Sequence, residues 1–127
     1  MRTSFIVIRL LNSIIETMES KILKESTILE EIIRRLVTAY QPEKIYLFGS
    51  VARGEHGMDS DYDLLVIVPD NAPSEHKKSQ LAYHVLRGTG IAVDVLVWTK
   101  SAFNARLHLK ASLPSIIQDE GQLLYAA

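Results

Sequence analysis

Residues 47 to 68 read LFGSVARGEHGMDSDYDLLVIV, and the order of parts in this stretch decides the fold. An apolar run ends at Gly49-Ser50, a polar loop follows at residues 56–60, and Asp61-x-Asp63 opens a second apolar run, Leu64-Leu65-Val66-Ile67-Val68. A strand alternates faces, so carboxylates two apart at its start point the same way. Like charges that close repel, and the arrangement makes sense with a cation between them. Taken alone, the pair reads more readily as solvated turn aspartates, because aspartate is common in turns. The unbroken apolar run behind it is that of a strand buried on both faces.

Working outward, residues 44–48 read as a short strand before the Gly-Ser turn, and residues 49–54 as a turn that starts a short helix. Upstream, Thr27-x-x-Glu30 has the spacing of a capping box. Ile28, Leu29, Ile32, Ile33, Leu36, Val37 and Tyr40 then make one apolar helical face, closed by Pro42. Earlier still, Leu10, Leu11, Ile14, Ile15, Met18 and Ile22 recur at helical spacing. Residues 1–24 are therefore either an amphipathic interface helix or an extension ahead of a working chain that begins at Met18. Downstream, residues 74–87 read as helix stopped by Gly88 and Gly90, and residues 91–98 as strand. Ser101 is placed to cap a helix to about residue 110, Pro114 suits the first turn of another, and Gly121 leads into a strand at residues 122–125. The expected fold class is α/β, a small mixed β-sheet with flanking helices.

Asp94 sits inside Ile91-Ala92-Val93-Asp94-Val95-Leu96-Val97-Trp98. Aspartate is depleted in strands, and a buried, unpaired carboxylate costs several kcal/mol. The apolar surroundings suggest a compensated charge; a solvent-facing place on an edge strand, or an arginine ion pair, is the plain alternative. If this strand lies beside residues 62–68, Asp61, Asp63 and Asp94 converge. Three oxygen donors without sulfur suit Mg²⁺ or Mn²⁺. Gly49 permits close approach of a phosphate to the backbone. The Ser50 hydroxyl and the amides of the next turn can donate to phosphate oxygens, and Arg53, about one turn on, adds a cation. A lone Gly-Ser carries almost no information; in combination with the carboxylates, these are the parts of a two-metal phosphoryl or nucleotidyl transfer site.

Gly49-Ser50, ten residues, then Asp61-x-Asp63 resembles the Gly-Ser-x10-Asp-x-Asp motif of the polymerase-β-like nucleotidyltransferases. Ala52-Arg53-Gly54 and Ser60-Asp61-Tyr62-Asp63-Leu64 extend the likeness, and Val93-Asp94-Val95 resembles the motif with that superfamily's third carboxylate. The short chain is most similar to the minimal nucleotidyltransferases, and the strong match covers residues 45–98. The resemblance implies a polymerase-β-like nucleotidyltransferase fold over residues 25–127. It implies Asp61 and Asp63 holding two Mg²⁺ ions and the triphosphate, Asp94 completing the site that activates the attacking hydroxyl, and Gly49 and Ser50 gripping the β and γ phosphates with help from Arg53. It implies ATP as donor and, as acceptor, a tyrosine of a HEPN-type toxin that the transferred AMP silences, the chain acting as antitoxin. A small-molecule transferase of the aminoglycoside-modifying type, and an antitoxin that works by binding alone, stay open beside it. So does a homo-oligomer.

Bulk properties set limits. The chain has 127 residues, enough for one domain with a real core. Hydrophobic residues at 47% and charged residues at 23% fall in the globular range. A formal net charge of -1 offers no basic field for nucleic acid. With no cysteine, thiolate zinc sites and cysteine nucleophiles are excluded, in keeping with a cytoplasmic protein. The apolar N-terminal run, interrupted by Arg9, is too short and polar to span a bilayer. His56 reads as a solvated loop residue, and His76, His84 and His108 as surface or packing residues. Arg34-Arg35 and Lys77-Lys78 read as solvated faces, with contact to nucleotide or partner as the lesser reading. Trp98 reads as core before base-stacking platform.

Overall fold

The computed structural model describes the backbone of residues 3–54 and 62–127, with the side chains of 3–6, 21, 22, 24 and 25 left aside. Asp61 and His56 of the sequence reading lie outside these residues. The elements run α1 (Thr3–Tyr40), β1 (Lys44–Phe48), α2 (Gly49–Ala52), β2 (Tyr62–Val68), a 3-10 turn (Ser74–Lys77), α3 (Gln80–Val85), β3 (Val93–Thr99), α4 (Lys100–Asn104), α5 (Leu113–Glu120) and β4 (Gln122–Ala126). The chain divides into two compact units, Met1–Glu31 and Ile32–Ala127.

The first unit is helical. The expected break near residue 27 is absent, and α1 runs without interruption to Tyr40. The Thr27 hydroxyl does not cap a helix start: it donates to the Leu23 carbonyl at 2.8 Å. A threonine bonded back to the turn before it sits inside a helix without an unsatisfied group. Val7, Ile8, Leu11, Ile14, Ile15 and Met18 of this unit are exposed. No helix among the described residues is long and apolar enough to cross a membrane.

The second unit holds a four-stranded sheet in the order β3-β2-β1-β4. β1 pairs antiparallel with β2 and β4, and β2 pairs parallel with β3, so the sheet is mixed. A parallel pair needs a crossover, and here the 3-10 turn and α3 supply it. β2 is central, and Leu64 to Val68 are all buried, as the unbroken apolar run requires. On one sheet face Tyr46, Leu65 and Ile67 pack with Phe103 of α4 and Ile117 of α5, joined by partly buried Phe48, Trp98, Leu107 and Leu113. On the other face Leu64, Val66 and Val68 are fully buried, as are Ile32, Leu36 and Tyr40 of α1 and Ala82 of α3. The Tyr40 hydroxyl donates to the Lys78 carbonyl at 2.6 Å and accepts from the Ala82 amide at 2.8 Å.

That contact explains a second departure from the expected elements. Residues 74–87 are not one helix, because Lys78 is extended, with φ -115° and ψ 141°. The chain turns there to present its carbonyl to Tyr40, and α3 begins afresh at Gln80. Thr99, not Ser101, caps α4, accepting from the Ala102 amide at 3.2 Å. α5 starts as expected with Pro114 in its first turn, under a Ser112 cap.

Candidate active site

The site is built where β1 ends and β2 and β3 begin. Phe48, the last residue of β1, pairs with Asp63 of β2. The chain must turn sharply there without rising over its neighbour, and Gly49 makes the turn with φ +77°. A β-carbon at Gly49 would also collide with the Asp63 carboxylate. The residue is thus glycine for two reasons: a left-handed backbone and a carboxylate lying against its α-carbon. α2 starts at this glycine, with Ser50 half-buried on its first turn. The leading amides of a helix have no partner within the helix, so this turn offers donors beside Asp63. Arg53 caps the other end of α2 and is exposed. Gln122 of β4 donates from Nε2 to the Ala52 carbonyl at 3.3 Å, which anchors α2 from the far side of β1.

Asp63 and Asp94 are opposite each other in the β2–β3 register. Residues paired across parallel strands present side chains to the same face, and neighbouring strands lie about 4.8 Å apart. The two carboxylates therefore stand side by side on the face that carries Leu65 and Ile67. Asp63 is half-buried, and Asp94 is exposed on an edge strand. The sequence argument for Asp94 rested partly on burial, and that part does not hold: the apolar run around it is packed on its Val93 and Val95 side, while Asp94 faces out. What gives Asp94 its interest is its partner across the ladder.

Gly49, Ser50, Asp63 and Asp94 are thus drawn together at one end of the sheet. Among the described residues no group of three metal-ligating side chains forms; Asp61, the third carboxylate of the sequence reading, is not among them. Paired carboxylate oxygens with no sulfur or imidazole between them are the donor chemistry of a hard divalent ion, so the residues present fit such an ion. His76 stands edge-on to the Tyr40 ring at 6.2 Å, a packing role away from these carboxylates.

Leu96 escaped the sequence reading. It is 39% exposed in the middle of β3, between Asp94 and Trp98 on the same face. The signal was present: β-branched Val93, Val95 and Val97 alternate with Asp94, Leu96 and Trp98, the mark of a strand with one covered face.

Comparison with known proteins agrees with this architecture. The family model described as a nucleotidyltransferase domain matches residues 28–124. Two Methanocaldococcus jannaschii proteins named as protein adenylyltransferases are similar. One is 27% identical over 105 residues, covering 81% of this chain and 100% of its own length. The other is 36% identical over 81 residues, covering 60% of this chain and 80% of its own. A toxin–antitoxin crystal structure with AMP-PNP matches with a TM-score of 0.53 at 24% identity, over 77% of this chain and 73% of that one, a likeness of fold.

Proposed function

The chain belongs to the nucleotidyltransferase domain family, and from that premise we propose that it moves AMP from ATP onto a tyrosine hydroxyl of a partner protein, a HEPN-type toxin, and so acts as its antitoxin. The observation that carries the reading is the Asp63–Asp94 pair in register beside the Gly49 turn. Relatives named for adenylyl transfer to protein support the reaction. The toxin–antitoxin complex with AMP-PNP supports the donor and the partner.

In this reading Asp61, Asp63 and Asp94 would hold Mg²⁺ (or Mn²⁺), which would supply positive charge to offset the charge that develops during an in-line displacement. Gly49 lets the triphosphate approach the backbone, and the Ser50 hydroxyl and the amides of α2 donate to the β and γ phosphates, assisted by Arg53. Asp94, the exposed member of the pair, faces the acceptor and receives or orients its hydroxyl proton. The oxygen–phosphorus bond forms at the α-phosphorus, the bond to pyrophosphate breaks, and pyrophosphate leaves. Holding both reactants in line supplies much of the rate.

The test is a reaction with α-³²P-ATP and Mg²⁺, with and without the protein encoded beside this one, next to an Asp63→Asn control. Label on the neighbour, lost in the variant, is the expected result. Unlabelled protein with labelled small hydroxyl compounds would move the acceptor to a small molecule, and label retained in the variant would overturn the site.

A further inference from the structure

The match to the nucleotidyltransferase domain begins at residue 28, so most of the first unit lies outside what that domain accounts for. In this unit Val7, Ile8, Leu11, Ile14, Ile15 and Met18 are each between 49% and 57% exposed. At 3.6 residues per turn they fall on one side of α1. The same spacing returns at Ile32, Leu36 and Tyr40, which are buried in the second unit. Helices in proteins are held mainly by packing of such a face, and propensity alone sustains a short helix poorly in water. The stripe at residues 7–18 therefore calls for a cover.

The spacing says what kind of cover fits. Ile8, Leu11, Ile15 and Met18 follow one another by three, four and three residues, the steps of a coiled-coil seam, and Ile22 keeps the count in the sequence. Isoleucine stands at each first position of the seam and leucine or methionine at each second, the order that favours two parallel helices. Val7 and Ile14 flank the seam on one side, Asn12 and Glu19 on the other. In a parallel pair the two flanks meet crosswise: Val7 faces Asn12, Ile14 lies along the aliphatic stem of Glu19, and no like charges oppose each other. The Thr17 hydroxyl donates to the Ser13 carbonyl at 2.9 Å and needs no partner from outside. The six exposed side chains offer roughly 600 Å² per copy, about 1,200 Å² for a pair, which reaches the lower end of a specific interface. A bilayer surface fits less well. Helices that lie on membranes are basic on the polar side, whereas here Arg9 is set against Glu16 and Glu19.

We propose that residues 7–18 pair with the same residues of a second copy as a short parallel coiled coil, so that two chains are joined through a segment that precedes the transferase domain in sequence. A second copy meets this face in register by symmetry alone, isoleucine beside isoleucine and leucine beside leucine. The pairing stands whether or not the chain transfers AMP. The seam is short, so the dimer dissociates on dilution.

The experiment is sedimentation equilibrium of the full chain, whose single-copy mass is 14.3 kDa. Twice that mass is expected at about 100 µM, well above a micromolar dissociation constant. Leu11→Glu with Ile15→Glu is expected to return the mass to that of one copy, with the urea transition of the transferase domain retained. The absence of native cysteine makes a second test clean. Under a mild oxidant, Leu11→Cys in the seam is expected to form a disulfide-linked dimer at least about tenfold faster than Ser13→Cys on the outer side, because only the seam brings two β-carbons within bonding reach. A single-copy mass for the wild type at this concentration overturns the pairing, and so does a dimer that persists in the double glutamate variant. A dimer that the glutamates abolish but that fails to link through Leu11→Cys overturns the parallel register. Single-copy protein that floats with vesicles of phosphatidylglycerol and phosphatidylcholine, and loses this with the glutamates, gives the face to a membrane and overturns the pairing as well.

Discussion

β2 and β3 are written alike and live differently. Each carries an aspartate as its second residue, in the same register, and continues as an apolar run, and they lie side by side in parallel. β2 is covered on both faces from Leu64 onward, whereas β3 is covered through Val93 and Val95 and open at Asp94 and Leu96. The difference comes from position in the sheet. A central strand has two ladders and two packed faces, and an edge strand has one ladder and a free side. A site at this seam has a rigid carboxylate on the central strand and an accessible one on the edge. That is a sensible division of labour between holding a donor and admitting an acceptor.

The comparison can be broken most sharply at the carboxylates. If the two strands share one site, Asp94→Asn and Asp63→Asn each lower transfer by about 10³-fold or more, comparable to removal of a main electrostatic group from an active site. Rates measured under saturating ATP should fall together; normal turnover in Asp94→Asn would split the strands into a functional and an idle one. Next comes packing. Leu64 is fully buried on β2, so Leu64→Ala is expected to destabilise by about 2–5 kcal/mol. Leu96→Ala, on the open face of β3, should stay within about 1 kcal/mol. Urea titrations of both variants compare them directly, and equal losses would mean that β3 is covered after all.

Gly49→Ala sharpens the β2 side. The left-handed backbone and the collision with Asp63 together should cost about 1–3 kcal/mol. The displaced carboxylate should depress transfer by more than the lost stability alone accounts for, seen as a lower kcat in protein still folded by circular dichroism.

The smallest effect links the far ends of the strands. Asp70, just past β2, accepts from the Ser101 amide at 2.9 Å and from the Ser101 hydroxyl, just past β3. Those two hydrogen bonds, hydroxyl first, hold its carboxyl below the ordinary value of 3.8. A folded-state value below the unfolded one means a contribution present above pH 3.8 and lost as the pH falls through the folded value. Denaturation midpoints across this acid range should therefore drop more steeply in the wild type than in Asp70→Asn, and parallel curves would dismiss the tie.

What could be read in the residues and what could not follow the same boundary. The Leu64 to Val68 run announced a strand buried on both faces, because strand alternation is local, whereas Gly49, Ser50 and Asp63 were grouped through their combination with the other carboxylates and the likeness to a family motif. The site role of Asp61 stays a proposal alongside those of its companions. Strand order is a global property, so nothing near Asp94 told whether its strand was central or edge; of the two readings left open there, the solvent-facing place on an edge strand is the one found. Thr27 and Glu30 had the spacing of a cap but lie inside α1, since a hydroxyl satisfied by the preceding turn removes the need for a boundary there. Lys78 breaks an otherwise helical stretch because a tyrosine 38 residues earlier takes its carbonyl, a contact no window of sequence contains.

Trp98 is the one tryptophan in the chain. It lies partly buried against the core beneath α4 and α5, lines a cleft beside β3 and has a guanidinium over its ring. Indole emission shifts to shorter wavelength as water leaves the ring, and a nearby cation alters its yield. The molecule therefore carries a single native fluorophore at the margin of its core, on the strand that bears Asp94, besides its five tyrosines. Excitation at the red edge of the absorption band isolates that one ring, so loosening of the core beside it becomes a colour change in unlabelled protein, readable in real time.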